Sequence, residues 1–522
     1  MVKKFYITTA IAYASKPPHI GNDYDPVVAD AIARFKRLAG YDVFFMTGTD
    51  EHGQKIEEQA RVRGVSPQQC VDEVVDYIID NYKLLNISYD KFIRTTQDYH
   101  EAAVKKIFVK LYENGDIYKN EYEGMYCVPC ESFHTSSQIA GEGVCPVCGV
   151  GLKKMRETAY FFRLSKYQKW LEEYIEQHDD FIIPESRRNE MLNNFIRPGL
   201  QDLCVTRSTV KWGIPVEFDS EHIIYVWLDA LFNYATGLGY TPEDGADLYS
   251  FHKYWPCDLH VIGKDIVRFH TIYWPIFLKA LGLEVPKQIF GHPWVTFGGA
   301  KMSKSTSNIA HSKDVVEKFG TDALRYYLLR EIPFANDGIF SHENFYARYN
   351  TDLANTLGNL VNRTIVMVEK YFGGVTPSSK NTEKLDNDLI DTALSTVTKY
   401  TKAMNEYKLS DAVESIMDLF HRANKYIEET MPWVLAKDEL KKDRLGAVLY
   451  NLLETIRFGA VMLSPIIPET SERIFSQLGS DLKTLKSLES FDGTISGKDI
   501  GKAEVLFEKI DEKKNNTTSH PI

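Results

Sequence analysis

The stretch from Phe5 to Gly53 constrains this chain most, because its hydrophobic periodicity switches from strand to helix and back. Phe5–Tyr13 is rich in β-branched and aromatic residues and reads as a buried strand. A Ser-Lys-Pro-Pro turn follows, then His19-Ile20-Gly21-Asn22. Val27, Val28, Ala31, Ile32, Phe35 and Leu38 recur at helical spacing until Gly40 stops them. Asp42–Met46 is strand-like again and closes on Thr47-Gly48-Thr49-Asp50-Glu51-His52-Gly53. This is the βαβ unit of a parallel sheet, and it predicts an α/β fold. A helix start offers unsatisfied N–H groups and a partial positive charge, which suit a phosphate. Gly21 lets a ligand approach the backbone, and His19 and Asn22 carry hydrogen-bond donors.

A chain of 522 residues has room for several domains with real cores. No apolar run reaches the roughly 18 residues that a membrane span needs, so no membrane partner is expected. Lys3-Lys4, an apolar stretch and Ala12-Tyr13-Ala14 imitate a signal peptide, but Thr8 and Thr9 interrupt the apolar run. The seven cysteines, an odd count, argue against a disulfide scaffold, and a cytoplasmic location is expected. The net charge of −11 means that any nucleic acid must meet a local basic patch.

Along the chain, residues 1–115 read as the first half of a doubly wound, Rossmann-type parallel sheet. Residues 116–222 break the pattern with short aromatic strands, glycines and four cysteines. Cys127-x-x-Cys130 and Cys145-x-x-Cys148 have the spacing of two knuckles holding one structural Zn²⁺. Two disulfides or a redox pair are the alternatives, and neither has a secretory or thioredoxin-like context. Arginines such as Arg207 face RNA or solvent on this reading. The α/β pattern resumes over 223–300, with strands expected at 224–230, 259–262 and 288–297. His19, Asp50, Lys264 and the loop from Lys301 all follow predicted strands, where such sheets bind ligands. From Asp314 the chain is almost wholly helical, and amphipathic stretches at 387–406, 409–430 and 443–463 predict a helix bundle. Residues 511–522 are polar and read as a disordered tail.

Lys301-Met302-Ser303-Lys304-Ser305 is a cationic loop suited to a triphosphate. Paired with His19–Asn22, it resembles the HIGH and KMSKS signatures of class I aminoacyl-tRNA synthetases. Further motifs resemble the methionyl-tRNA synthetases over all of the chain except the tail. That resemblance implies activation of L-methionine by ATP and transfer to tRNA(Met), including the initiator tRNA. ATP contacts would come from His19, Gly21, Asn22, Lys264, Asp265, Lys301 and Lys304, with Mg²⁺. His19, Asn22, Lys301 and Lys304 would be the catalytic set. Ile11, Tyr13, Asp50, Trp227, Tyr234, Ile266, His270 and Trp274 match the methionine pocket. Aromatic walls suit a polarisable thioether, and a carboxylate suits an ammonium group.

The resemblance also implies one structural zinc on Cys127, Cys130, Cys145 and Cys148. It makes 301–345 the lysine loop with a stem-contact region. Residues 346–510 become an anticodon-binding domain, read by Asn359, Arg363 and Trp433. Bases in unstacked RNA loops are recognised by stacking and edge hydrogen bonds, which such side chains supply. The chain departs from the class pattern at Asn22, where a second histidine is usual, and at Ala14-Ser15-Lys16-Pro17. No further RNA-binding domain is evident, so a monomer is expected. Two alternatives remain at this point: another class I synthetase, or a catalytically inactive synthetase-like RNA-binding protein.

Overall fold

The computed structural model describes residues 2–127, 132–134, 143–145, 149–243, 248–297, 300–301, 310–378 and 383–510. Seven strands form one parallel sheet: β1 (Lys4–Thr9), β2 (Ala12–Tyr13), β3 (Asp42–Asp50), β4 (Lys91–Arg94), β5 (Ile182–Ile183), β6 (Leu259–Gly263) and β7 (Gln288–His292). β3 pairs with β1, β2 and β4; β1 pairs with β6, β6 with β7, and β7 with β5. Helices cover both faces, so β1 and β3 are buried almost throughout rather than on alternate residues. β1 sends the chain first to β3 on one side and later to β6 on the other. The strand order therefore switches at β1 and β6, and the crevice beyond their carboxyl ends is the ligand position of such sheets.

The strand expected over Phe5–Tyr13 is interrupted. Thr8 pairs with Met46 and Ala12 with Thr49, so three residues (9–11) face two (47–48). That extra residue is a bulge, which bends the strand and re-aims the side chains after it, here Ile11 and Tyr13. Gly48 lies opposite; a Cβ there would sit 2.0 Å from the Ile93 carbonyl oxygen.

Other segments also differ from expectation. Residues 224–230 are not a strand: the strand Asp219–Ile224 ends and a helix (Val226–Thr236) begins. Leu228 to Thr236 are all buried, and a helix buried on every face carries no 3.6-residue pattern to read. Pro293 lies where the expected strand 288–297 divides into β7 and Val295–Phe297. Within 116–222, Ile117–Cys127 and Lys153–Phe162 form a long antiparallel ribbon, while β5 joins the central sheet. Arg207 is buried and stacks on Tyr225 at 5.0 Å.

The carboxyl-terminal part is a bundle that includes Asn359–Phe372, Lys384–Asn405, Leu409–Thr430, Lys442–Leu463 and Pro468–Leu478. Lys442–Leu463 belongs to the one described helix long and apolar enough to cross a membrane, and its apolar window is wholly buried in the bundle.

A buried cation ties the bundle to the sheet domain. Arg325 is wholly buried and pairs with Asp30 at 2.7 Å. It also donates to the carbonyls of Leu85, Pro465 and Ile466. Burial opposes the Asp30 charge, but Arg325, Arg34 and Ser88 together hold its carboxyl below the usual range. Removing one partner leaves an uncompensated buried charge. Arg325→Ala is expected to cost about 3–5 kcal/mol, read as a fall in the first unfolding transition; an unchanged midpoint would refute the tie.

Candidate active site

The crevice is built around the start of helix α1 (Ile20–Leu38), which follows β2 directly. Asn22 Oδ1 accepts from the backbone N–H of His19 at 3.3 Å, so its carbonyl caps the helix while its amide NH₂ stays available to donate. The chain beyond the lysine loop returns to this turn. Ile20 N–H donates to the Ala310 carbonyl at 3.0 Å, and His311 Nδ1 to that of Pro18 at 3.2 Å. Ser312 Oγ donates to Asp23 at 2.5 Å, and Asn81 reaches the other oxygen of Asp23 at 2.8 Å. At the loop's near end, the Lys301 backbone pairs with Thr296. Lys304 lies outside the described residues.

On the other side of the crevice, β6 ends in Gly263-Lys264-Asp265. Lys264 Nζ contacts both carboxylate oxygens of Asp337, at 2.7 and 2.8 Å, and lies 4.1 Å from the Trp294 ring. Trp294 Nε1 donates to Asp265 at 3.2 Å. Behind them, His292 Nε2 meets Asp25 of α1 at 2.5 Å. Burial alone would push the His292 imidazole down; the Asp25 carboxylate more than offsets this and holds it up.

An aromatic pocket adjoins this half. Trp227 and Phe269 stack with ring centroids 3.7 Å apart, 1° from parallel. Phe269 opens a π-helical turn, Phe269–Tyr273, that runs into Trp274. Tyr234, His270 and Trp274 are buried behind the stack. The proton positions follow from the partners. The Ile266 carbonyl accepts from His270 Nδ1 at 3.1 Å, so Nε2 is bare and accepts from the Tyr234 hydroxyl at 2.8 Å. Desolvation holds the His270 imidazole down at about 4, hence neutral. Trp274 Nε1 can only donate, so His260 Nε2 accepts it at 3.2 Å and Nδ1 donates to Thr8 at 2.6 Å.

Asp50 sits at the end of β3, paired in register with Tyr13. The loop after it is held from several sides. Glu51 is wholly buried; it accepts Arg94 through two nitrogens at 2.8 Å and Thr96 at 2.7 Å. Gly53, at φ 113°, turns the chain into the next helix, a conformation that favours glycine. His52 Nδ1 donates to Asp229 at 2.7 Å, and His100 Nε2 donates to the other oxygen of Asp229 at 2.7 Å. Asp229 and Thr236 belong to the helix that carries Trp227 and Tyr234, and Thr236 bonds His100 Nδ1 at 2.7 Å. One carboxylate thus ties the Asp50 loop to the aromatic wall.

The remaining expected residues group elsewhere. Asn359 and Arg363 are exposed one turn apart on one helix. Arg363 lies 6.0 Å from the ring of Trp433 and pairs with Glu428 at 2.8 Å. Met431 (45% exposed) and Val434 (42%) extend this apolar surface. Cys127 ends the long ribbon, and the Cys145 carbonyl accepts from Gly149 N–H at 2.8 Å; both cysteines are buried. Cys130, Cys148 and the tail 511–522 lie outside the described residues. Among the described residues no group of three or more metal-ligating side chains converges.

Comparison with known proteins decides the family. The family model "tRNA synthetases class I (M)" matches residues 5–365, and "Anticodon binding domain of methionyl tRNA ligase" matches 376–520. This chain belongs to the class I methionyl-tRNA synthetases. A methionine–tRNA ligase of Clostridium perfringens is 59% identical over 98% of this chain and 78% of its own length. That of Bacillus subtilis is 48% identical over 97% and 78%. The Mycobacterium tuberculosis methionyl-tRNA synthetase solved in complex with methionyl-adenylate superposes with a TM-score of 0.92 at 39% identity, over 97% of this chain and all of that one.

Phe269, His260, His292, Asp25 and Asp229 join the site without having been singled out by role from the sequence. Phe269 had a signal, since it adjoins His270 in a matching segment. The others are lone polar residues in apolar runs, and only their partners reveal them. Asp229 yields a test. Burial pushes His52 down, but Asp229 and then Glu101 raise it to about 10. Its charge therefore stabilises the fold fully below pH 6.5, and that contribution is lost as pH rises towards 10. Asp229→Asn is expected to cost about 3–5 kcal/mol at pH 6.5. The gap to wild type should narrow steadily up to pH 10 in denaturation curves; a pH-independent gap would contradict the ion pair.

Proposed function

We propose that this crevice activates L-methionine with ATP and transfers it to the 3′-terminal adenosine of tRNA(Met) for translation. The observation that carries the reading is the join between the His19–Asn22 turn and the flank of the lysine loop beside an aromatic pocket. The methionine carboxylate attacks the α-phosphate of ATP and pyrophosphate leaves. The attacking group is already an anion, so no general base is required. Catalysis is positioning plus stabilisation of phosphate charge. His19 and the Asn22 amide donate to phosphate oxygens at the helix start, where the helix field favours anions. Lys301 and Lys304 neutralise the β- and γ-phosphates, and ATP enters with Mg²⁺. Lys264 and Asp265 line the nucleotide side, with Lys264 oriented by Asp337.

In the amino-acid pocket, Asp50 takes the α-ammonium. Ile11, Tyr13, Trp227, Ile266 and Trp274 enclose the side chain. The bare Nε2 of His270 keeps the Tyr234 hydroxyl turned away from solvent, leaving its oxygen as an acceptor and the pocket uncharged, which suits a neutral thioether. A ribose hydroxyl of the terminal adenosine then attacks the adenylate. Asn359, Arg363 and Trp433 read the anticodon at the far end of the bundle by stacking and edge hydrogen bonds. The place of work is the cytoplasm, where tRNA is charged.

The reading is tested by amino-acid-dependent ATP–pyrophosphate exchange across the twenty amino acids. Methionine alone is expected to sustain exchange, and Lys304→Ala to slow it by far more than it weakens methionine binding. Exchange with another amino acid, or an unchanged rate in Lys304→Ala, would sink it.

Cys127, Cys130, Cys145 and Cys148 would hold one structural Zn²⁺. The fit rests on two buried thiols and the C-x-x-C spacing of each pair. A closed four-thiolate site supplies folding energy and no open position for substrate. Elemental analysis is expected to find about one zinc per chain, lowered in Cys145→Ser, with exchange activity falling only as the insertion loosens. A zinc-free active protein would remove the assignment.

A further inference from the structure

A cavity of about 550 Å³ opens at the amino ends of the same strands, across the sheet from the crevice. Lys4 begins β1, Gln288 begins β7, and Asp258 precedes β6; Asn405 and Tyr407 close the cavity from the bundle. Its charged lining is four lysines, Lys3, Lys4, Lys36 and Lys287, against two carboxylates, Asp180 and Asp258. Asp258 is already shared, taking Lys4 at 2.9 Å, Lys287 at 2.6 Å and the Tyr6 N–H at 2.8 Å. Asp180 accepts from Gln288 at 3.2 Å.

Lys36 is the unusual member. Its side chain is buried, and its ammonium donates to Asn405 Oδ1 at 2.7 Å. The rings of Phe5, Phe35 and Tyr41 lie 5.1, 5.6 and 5.4 Å away. Among the described residues no carboxylate comes within ion-pair distance of it. Rings and a neutral amide attract a cation without neutralising it, and a buried charge without a counter-ion is costly. In a chain of net charge −11 this is a local positive excess facing an open space.

We propose that this cavity binds a small phosphate-bearing anion, with Lys36 at its floor and Lys3 and Lys287 at its rim. Lysine ammoniums converging from several directions suit a tetrahedral, multiply charged phosphate, whereas a planar carboxylate is better matched by an arginine fork. The volume is in the range of small-molecule sites, and Lys36 at the floor is buried. Because strands and bundle both line it, an occupant would bridge the two.

The test uses the full chain and inorganic phosphate, with ionic strength held constant by chloride. Phosphate is expected to raise the unfolding midpoint saturably and to give a measurable Kd by calorimetry. Lys36→Met should raise that Kd about tenfold or more, the scale of one lost charge-assisted hydrogen bond. If Lys36→Met does not fold, Lys287→Met on the rim must weaken phosphate while the fold is kept. No phosphate effect beyond chloride overturns the proposal. So does an effect of equal size in wild type and both variants, which would put the anion elsewhere. Loss of tRNA affinity in Lys287→Met without any phosphate effect overturns it in favour of an RNA-binding surface.

Discussion

The hydrogen bond from Ile20 N–H to the Ala310 carbonyl brings together two motifs that lie far apart in the chain. It uses one of the N–H groups that a helix start leaves unsatisfied, while the N–H groups of Asn22 and Asp23 turn back to the His19 carbonyl. Asp23 strengthens the join by holding Ser312 and Asn81 at once. The helix dipole, the donors at His19 and Asn22 and the approach of the lysine loop are thereby set relative to one another. Everything downstream in the first chemical step depends on that geometry, because the reaction needs placement more than it needs an acid or a base.

The amino-acid half of the site is organised by buried polar networks in which every proton has an assignable place. His270 and His260 are each held in one tautomer by a partner that can act only as donor or only as acceptor. This keeps the aromatic pocket uncharged. Asp229 does the opposite: it gathers two histidines and links the loop of Asp50 to the helix of Trp227. Neutral polar groups line the aromatic pocket and charged ones stand behind it. Such networks are worth their desolvation only when fully satisfied, and here they double as rulers between pocket walls.

The domains are joined in a comparable way. Arg325 spends its donors on Asp30 and on carbonyls of two further segments, Leu85 and Pro465–Ile466, so the bundle is fixed to the back of the helix whose start forms the proposed phosphate site. Lys36, on that same helix, reaches Asn405 of the bundle. One helix therefore starts at the proposed ATP site and faces the bundle along its length and end.

Much of this was legible in the chain itself. The periodicity of Phe5–Met46 implied a βαβ unit, and the long amphipathic stretches implied the bundle, because each pattern reports one buried face. Residues 226–230 were misread as strand because a helix buried all round has no such pattern. The bulge at 9–11 was invisible because it is a mismatch between two strands and belongs to neither. Motif identity determined the reaction class and nominated the pocket residues. Only the tertiary structure decided which polar groups meet: Asp229 with His52 and His100, His292 with Asp25, Ile20 with Ala310, and Lys36 with the neutral amide of Asn405. Those pairings join residues distant in sequence, and a hydrogen bond exists only once the fold has placed both partners.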